Sequence, residues 1–127
     1  MGRGMTELTL TRGDTITVSW TLASRTRNAR TGTYTNTPID ITDATCRIYF
    51  REGSATGTVA ISATSEGVDP EITITGTEGL ISLEVPAADT DSLLGVYYYD
   101  VELTYADGVV KTIDSGTLAV SADVTYT

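Results

Sequence analysis

Carboxylates are the only abundant groups in this chain that could do acid–base or metal chemistry, because it contains no histidine. That absence removes the commonest general base and nitrogen ligand near neutral pH. It also rules out any Ser–His or Cys–His nucleophile pair. Asp89 stands two residues from Asp91, and Asp100 two residues from Glu102. Paired carboxylates can hydrolyse glycosides, but acids at i and i+2 on an outer strand face are ordinarily solvated charge. Asp40, Asp43, Glu66, Asp69 and Glu71 supply further oxygen donors in stretches read as loops, a chemistry that suits calcium. They lack EF-hand spacing. Neither GxxxxGK[ST] nor GxGxxG before a helix occurs. Cys46 is the only cysteine, which leaves no internal disulfide and no cysteine set for zinc. The chain is therefore read as a non-enzyme without cofactor, metal or small-molecule substrate.

Aromatic residues offer a second kind of site. The chain has one Trp and seven Tyr, and such rings can form carbohydrate platforms if they face solvent. Alternation decides which do. Ile16, Val18, Trp20 and Leu22 alternate with Thr15, Thr17, Ser19 and Thr21, the period of a strand with one buried face. Trp20 is thus expected in the core. Ala44, Cys46, Ile48 and Phe50 turn inward from 44–51, which leaves Thr45, Arg47, Tyr49 and Arg51 outward. Tyr97, Tyr99, Val101, Leu103 and Tyr105 share one face of 96–105, with Tyr98, Asp100, Glu102 and Thr104 on the other. Tyr34, Tyr49 and Tyr98 are the outward tyrosines, a residue type enriched at protein interfaces. Tyr97 or Tyr99 is placed to form a tyrosine corner.

These runs must be positioned by strands. Threonine makes up roughly a fifth of the chain, far above ordinary usage, and its β-branched side chain favours pleated, half-exposed strands over helices. Shorter candidates at 7–11, 58–64, 71–75, 79–85, 109–114 and 117–121 bring the count to about nine. Arg12-Gly13-Asp14 and Ala106-Asp107-Gly108 read as turns between strands. Ser115-Gly116 reads as a bulge. A short helical turn near 87–94 is the only helix expected. The fold class is all-β, an immunoglobulin-like antiparallel sandwich of about seven to nine strands in one domain over 1–127. Its expected core contains Trp20, Ile48, Phe50, Leu83, Tyr99, Val101 and Leu103.

Charge narrows the partners. The formal net charge is −9, which repels phosphate backbones and anionic lipid heads, so neither nucleic acid nor membrane is expected. Up to Arg51 there are seven Arg against four acids; beyond it Lys111 faces thirteen acids. This asymmetry leaves room for self-complementary contact between copies. The start, MGRGMTELTL, shows no apolar signal run, and Gly2 fits a myristoylation site only superficially. Synthesis in a reducing cytoplasm is expected.

Residues 24–38, SRTRNARTGTYTNTP, are unusually long and polar for a connection. They read as an extended basic loop, either a solvated hairpin extension or an arm that contacts a partner. Arg25, Arg27, Arg30 and Tyr34 are its candidate interface residues. So polar a loop gains little from packing on its own domain, so its order is expected to come from a neighbouring subunit or to be missing.

Several stretches together resemble a known family: Leu8 to Thr15 (LTLTRGDT), Pro38 to Thr45 (PIDITDAT), Pro86 to Thr90 (PAADT), Gly95 to Leu103 (GVYYYDVEL), Ser115 to Leu118 (SGTL) and Asp123 to Thr125 (DVT). Their order and spacing are similar to the amino-terminal immunoglobulin-like domain of phage baseplate upper proteins and to free-standing relatives encoded among phage structural genes. The resemblance spans nearly the whole chain and departs in the long basic segment 24–38. It implies a virion component, made in the host cytoplasm, that docks onto other phage structural proteins and copies of itself. The role implied is a tail, baseplate or fibre adaptor, or a capsid decoration protein. A carbohydrate-binding sandwich is the alternative, and it requires Trp20 or several tyrosines on an exposed face.

Overall fold

A computed structural model describes residues 6–122 of the chain. Gly2 and the terminal stretch 123–127, which holds the DVT of the resemblance, lie outside the described residues. The chain runs β1 (Thr6–Thr11), β2 (Ile16–Thr21), β3 (Ala23–Arg27), β4 (Tyr34–Pro38), β5 (Thr45–Glu52), β6 (Val59–Thr64), β7 (Ile72–Thr75), β8 (Leu80–Val85), α1 (Ala87–Thr90), β9 (Gly95–Thr104) and β10 (Val110–Ser121). A 3-10 turn, Gly76–Glu78, separates β7 from β8.

The protein is all-β. A five-stranded sheet in the order β1-β10-β9-β5-β6 faces a three-stranded sheet in the order β2-β8-β7. The remaining pair, β3 and β4, forms a ribbon of its own. Eight strands therefore build the sandwich-like body, and two more come from the stretch read as a loop. The first strand runs parallel to the last, Thr6 opposite Gly116 through Thr11 opposite Ser121, while the other pairings are antiparallel.

One apolar cluster fills the space between the sheets. Ile48, Phe50, Leu83, Tyr99, Val101 and Leu103 are all buried within it, as is Cys46. Burial pushes the Cys46 thiol up to about 11, as the ionised form cannot be solvated there. Phe50 and Trp20 both pack on Tyr99, with ring centroids 5.3 and 6.5 Å apart. Trp20 departs from expectation. It is half-buried, packed against the core at its margin, where its indole N–H donates to Oδ2 of the buried Asp114 at 2.8 Å.

That bond depends on a bulge the sequence places wrongly. Gly116 pairs regularly with Tyr99, and the register instead slips between Thr112 and Asp114. The extra residue, Ile113, turns Asp114 to the position opposite Val101, where an uninterrupted alternation would put Ile113. Asp114 is consequently buried. The two strands read at 109–114 and 117–121 are one.

The corner and turn chemistry is local. Tyr97 is the corner tyrosine: its hydroxyl donates to the Leu94 carbonyl at 3.2 Å and accepts from the Leu94 N–H at 3.0 Å. Thr90, fully buried at the end of α1, donates its hydroxyl to the Asp14 carbonyl at 2.7 Å and ties the crossover to the β1–β2 turn. The Asp-Gly turn between β9 and β10 closes as expected, with Gly108 at φ +92° and its N–H bonded to the Tyr105 carbonyl at 2.9 Å.

Candidate interaction surfaces

The segment 24–38 is a β-hairpin, in line with the hairpin extension that was one of its two readings, and its legs are regular strands. Ala23 pairs with Pro38 and Arg27 with Tyr34, a ladder whose ten strand residues are all exposed. Its order is self-generated, contrary to the expectation that a neighbour must supply it. At the tip the Asn28 carbonyl accepts from the Gly32 N–H at 2.7 Å, and the Asn28 N–H bonds the Thr33 carbonyl at 2.7 Å. The Asn28 side-chain oxygen accepts from the Arg30 N–H at 2.9 Å. Gly32 takes φ +76°, which a side chain would resist. Five threonines between Ser24 and Pro38 hide this from a hydrophobic-period reading, since no apolar alternation exists there; the Asn28 turn was the available signal.

Register puts Arg25, Arg27 and Tyr34 on one face of the ribbon. The Arg25 guanidinium stacks over the Tyr34 ring, 3.8 Å from its centroid, while Tyr34 keeps 55% of its surface exposed. Arg30 stands at the tip. At the base of the ribbon the Ile39 N–H closes the two legs by donating to the Leu22 carbonyl at 2.9 Å, and the Leu22 N–H ties them to the body by donating to the Gly79 carbonyl at 2.8 Å. Beyond it, Asp40 accepts from the hydroxyl and the N–H of Thr42, and these bonds hold its carboxyl below the usual carboxylate range.

A second surface lies on the outer face of the five-stranded sheet. Antiparallel register sets Arg47 opposite Glu102, Tyr49 opposite Asp100 and Arg51 opposite Tyr98. On the next strand Ser115 stands opposite Asp100. The loop after β5 folds back over this face, held by Arg51 Nη1 donating to the Gly57 carbonyl at 2.9 Å. Ala55 of that loop and Tyr49, Arg51, Tyr98, Asp100 and Ser115 line a cavity of about 190 Å³. The arginines at i−2 and i+2 flank Tyr49, at 5.8 and 5.5 Å from its ring centroid.

The acids named from sequence do not gather into one site: Asp100 and Glu102 border a depression on the outer sheet face, and Asp69 and Glu71 a separate cleft. Asp89 lies in α1 and Asp91 just beyond it. Glu71 Oε1 accepts from the Thr64 N–H at 3.2 Å. Among the described residues, no three His, Cys, Asp or Glu side chains gather as a metal site. The alternation of β5 and β9 was legible in the sequence, but the groove needs the pairing register of three strands and the fold-back of a loop, which it does not encode locally. No protein-family model matches the chain, and comparison with curated proteins gives no match.

Proposed function

We propose that this chain is a non-enzymatic docking protein of a phage virion, attached through the β3–β4 hairpin to other structural proteins and to copies of itself. The observation that carries this reading is the hairpin. It is a ribbon outside both sheets, fully exposed along its strands, and stocked with three Arg and a Tyr. Arginine and tyrosine are the residues that ordered protein contacts favour, because a planar guanidinium binds carboxylates in a fork and a phenol ring loses little entropy. Pre-stacking Arg25 on Tyr34 removes part of the ordering cost of binding.

Charge placement supports contact between copies. The hairpin leaves the end of the body where Thr21 pairs with Leu80; the far end is where Ile16 pairs with Val85. At that far end a cleft is lined by Asp69, Glu71, Glu84, Pro70 and Pro86, with no basic residue. A basic ribbon at one pole and an acidic cleft at the other suit a head-to-tail contact, which generates rings or extended arrays. The strand order, with the first strand parallel to the last at the edge of a five-stranded sheet, supports the immunoglobulin-like reading. The resemblance to baseplate upper proteins supports the virion setting, as tail, baseplate or fibre adaptor or as capsid decoration.

Photo-crosslinking tests the reading. With benzoylphenylalanine in place of Tyr34, irradiation of assembled particles is expected to yield an adduct to another virion chain or a second copy. The same probe at the 93% exposed Val68 serves as control. Particles that carry the chain yet give no adduct from position 34, or particles that lack the chain, would overturn it.

A further inference from the structure

We infer that the cavity on the outer face of the five-stranded sheet is a binding site for one neutral sugar ring. The inference does not rest on the hairpin. Four observations carry it: size, bonding complement, charge and the state of the strands beneath.

The cavity holds about 190 Å³, below the roughly 300–1,000 Å³ of sites for drug-sized ligands, and it fits a single ring. A wider depression shares Tyr49, Arg51, Ala55 and Asp100 with it and runs on past Arg47 and Glu102. A ring seated between Tyr49 and Tyr98 thus has open surface beside it along the sheet, past Arg47 and Glu102, for further sugar units.

Sugar hydroxyls each donate and accept, so a site for them needs pure donors beside pure acceptors. Arg51 has only donors, an ionised Asp100 only acceptors, and Ser115 and the tyrosine hydroxyls offer both. All line the same small space. Tyr49 has its ring flanked by Arg47 and Arg51, which leaves its edge and hydroxyl to meet a ligand. Arg51 is already fixed by its bond to Gly57, so its remaining N–H groups are pre-aimed.

Charge and backbone discriminate among occupants. Arg47 and Arg51 offset Asp100 and Glu102, and the cancelled field favours neither an anion nor a cation. A peptide adding itself as a strand needs a free sheet edge. Here β5, β9 and β10 are all interior strands with neighbours on both sides, so this face offers side chains alone.

The test uses the full chain and a panel of neutral hexoses and N-acetylhexosamines at up to about 50 mM, well above a millimolar Kd. Saturation-transfer NMR is expected to detect at least one of them, with amide shifts at Tyr98, Asp100 and Ser115. Asp100→Asn and Tyr98→Ala are each expected to weaken that binding by about tenfold, the loss of one good contact, while the triple variant Arg25→Ser/Arg27→Ser/Arg30→Ser binds as before. Circular dichroism melting of each variant establishes that it is folded; if Tyr98→Ala fails to fold, Asp100→Asn carries the test. Silence across the panel, shifts confined to other parts of the protein, or affinity indifferent to Asp100→Asn would each overturn the inference. So would a peptide pool that moves these amides when no sugar does. Loss of sugar binding in the hairpin variant would also overturn it, by placing the ligand on the other surface.

Discussion

The hairpin and the outer face of the five-stranded sheet both set arginine beside tyrosine, and they hold the pair in opposite ways. In the hairpin, Arg25 lies 3.8 Å from the Tyr34 ring centroid on a ribbon whose strand residues are all exposed. Its order comes from bonds between near neighbours in sequence, chiefly around Asn28. On the sheet, Arg47 and Arg51 flank Tyr49 at longer range, but β5 is an interior strand whose opposite face carries the fully buried Ile48 and Phe50. The first surface can be stripped without touching the core. The second inherits its geometry from the core, through the register that aligns β5, β9 and β10.

Substitutions beneath the sheet should separate the two most sharply. Phe50→Ala removes a ring with no exposed surface, and the lost burial plus the cavity should cost about 3–5 kcal/mol, read as a shift in the urea midpoint. Amide shifts in the folded fraction should change along the groove and not at the hairpin tip. Gly79→Ala strikes the base of the hairpin, where it joins the three-stranded sheet. A Cβ there would lie 2.4 Å from the Leu22 carbonyl oxygen and 2.7 Å from that of Ile39, on a backbone at φ +64°. Left-handed strain and overpacking together should cost about 2–4 kcal/mol, with faster hydrogen exchange at Leu22 and Ile39 as the local sign.

Trp20→Phe tests the bulge. It keeps a ring against Tyr99 but withdraws the donor that reaches the buried Asp114, a loss of about 1–3 kcal/mol by chemical denaturation. Cys46 gives a smaller, pH-dependent effect. Its folded value is raised from 9.0 to about 11, so the folded state holds the proton more tightly than the unfolded chain does. The stability this contributes is complete below about pH 9.0 and is lost as pH rises towards about 11. Stability of the wild type minus that of Cys46→Ala should therefore fall across that window. A flat difference would mean that the thiol is less enclosed than the structure places it.

What the sequence made legible follows the same division. Alternation in 44–51 and 96–105 assigns both faces correctly, because a half-buried strand must repeat every two residues. It places Tyr49, Tyr98, Asp100 and Glu102 outward, but does not show that the first three face one cavity with Ser115, since strand register is set by long-range pairing. The hairpin was visible as a basic, apolar-poor stretch that read as a hairpin extension or an arm, with no strands assigned to it. Neither of its faces is buried, so it lacks the periodic signal on which such a reading depends. Trp20 was drawn too deep for a related reason: the bulge at Ile113, which brings Asp114 inward to meet it, leaves no mark as clear as the glycine that seemed to announce one at Gly116.

The central claim is that the hairpin docks the protein without holding it together, and one comparison tests it most directly. In the variant Arg25→Ser/Arg27→Ser/Arg30→Ser, the melting temperature of the isolated protein should stay within about 5 °C of wild type, as each exposed substitution changes stability by about 0.5 kcal/mol or less. Occupancy of the same variant on assembled particles, counted against wild type, should fall, and fall further as salt is raised and the remaining charge contacts are screened. A variant that loads normally at every salt concentration, or that unfolds before it can load, would contradict the account.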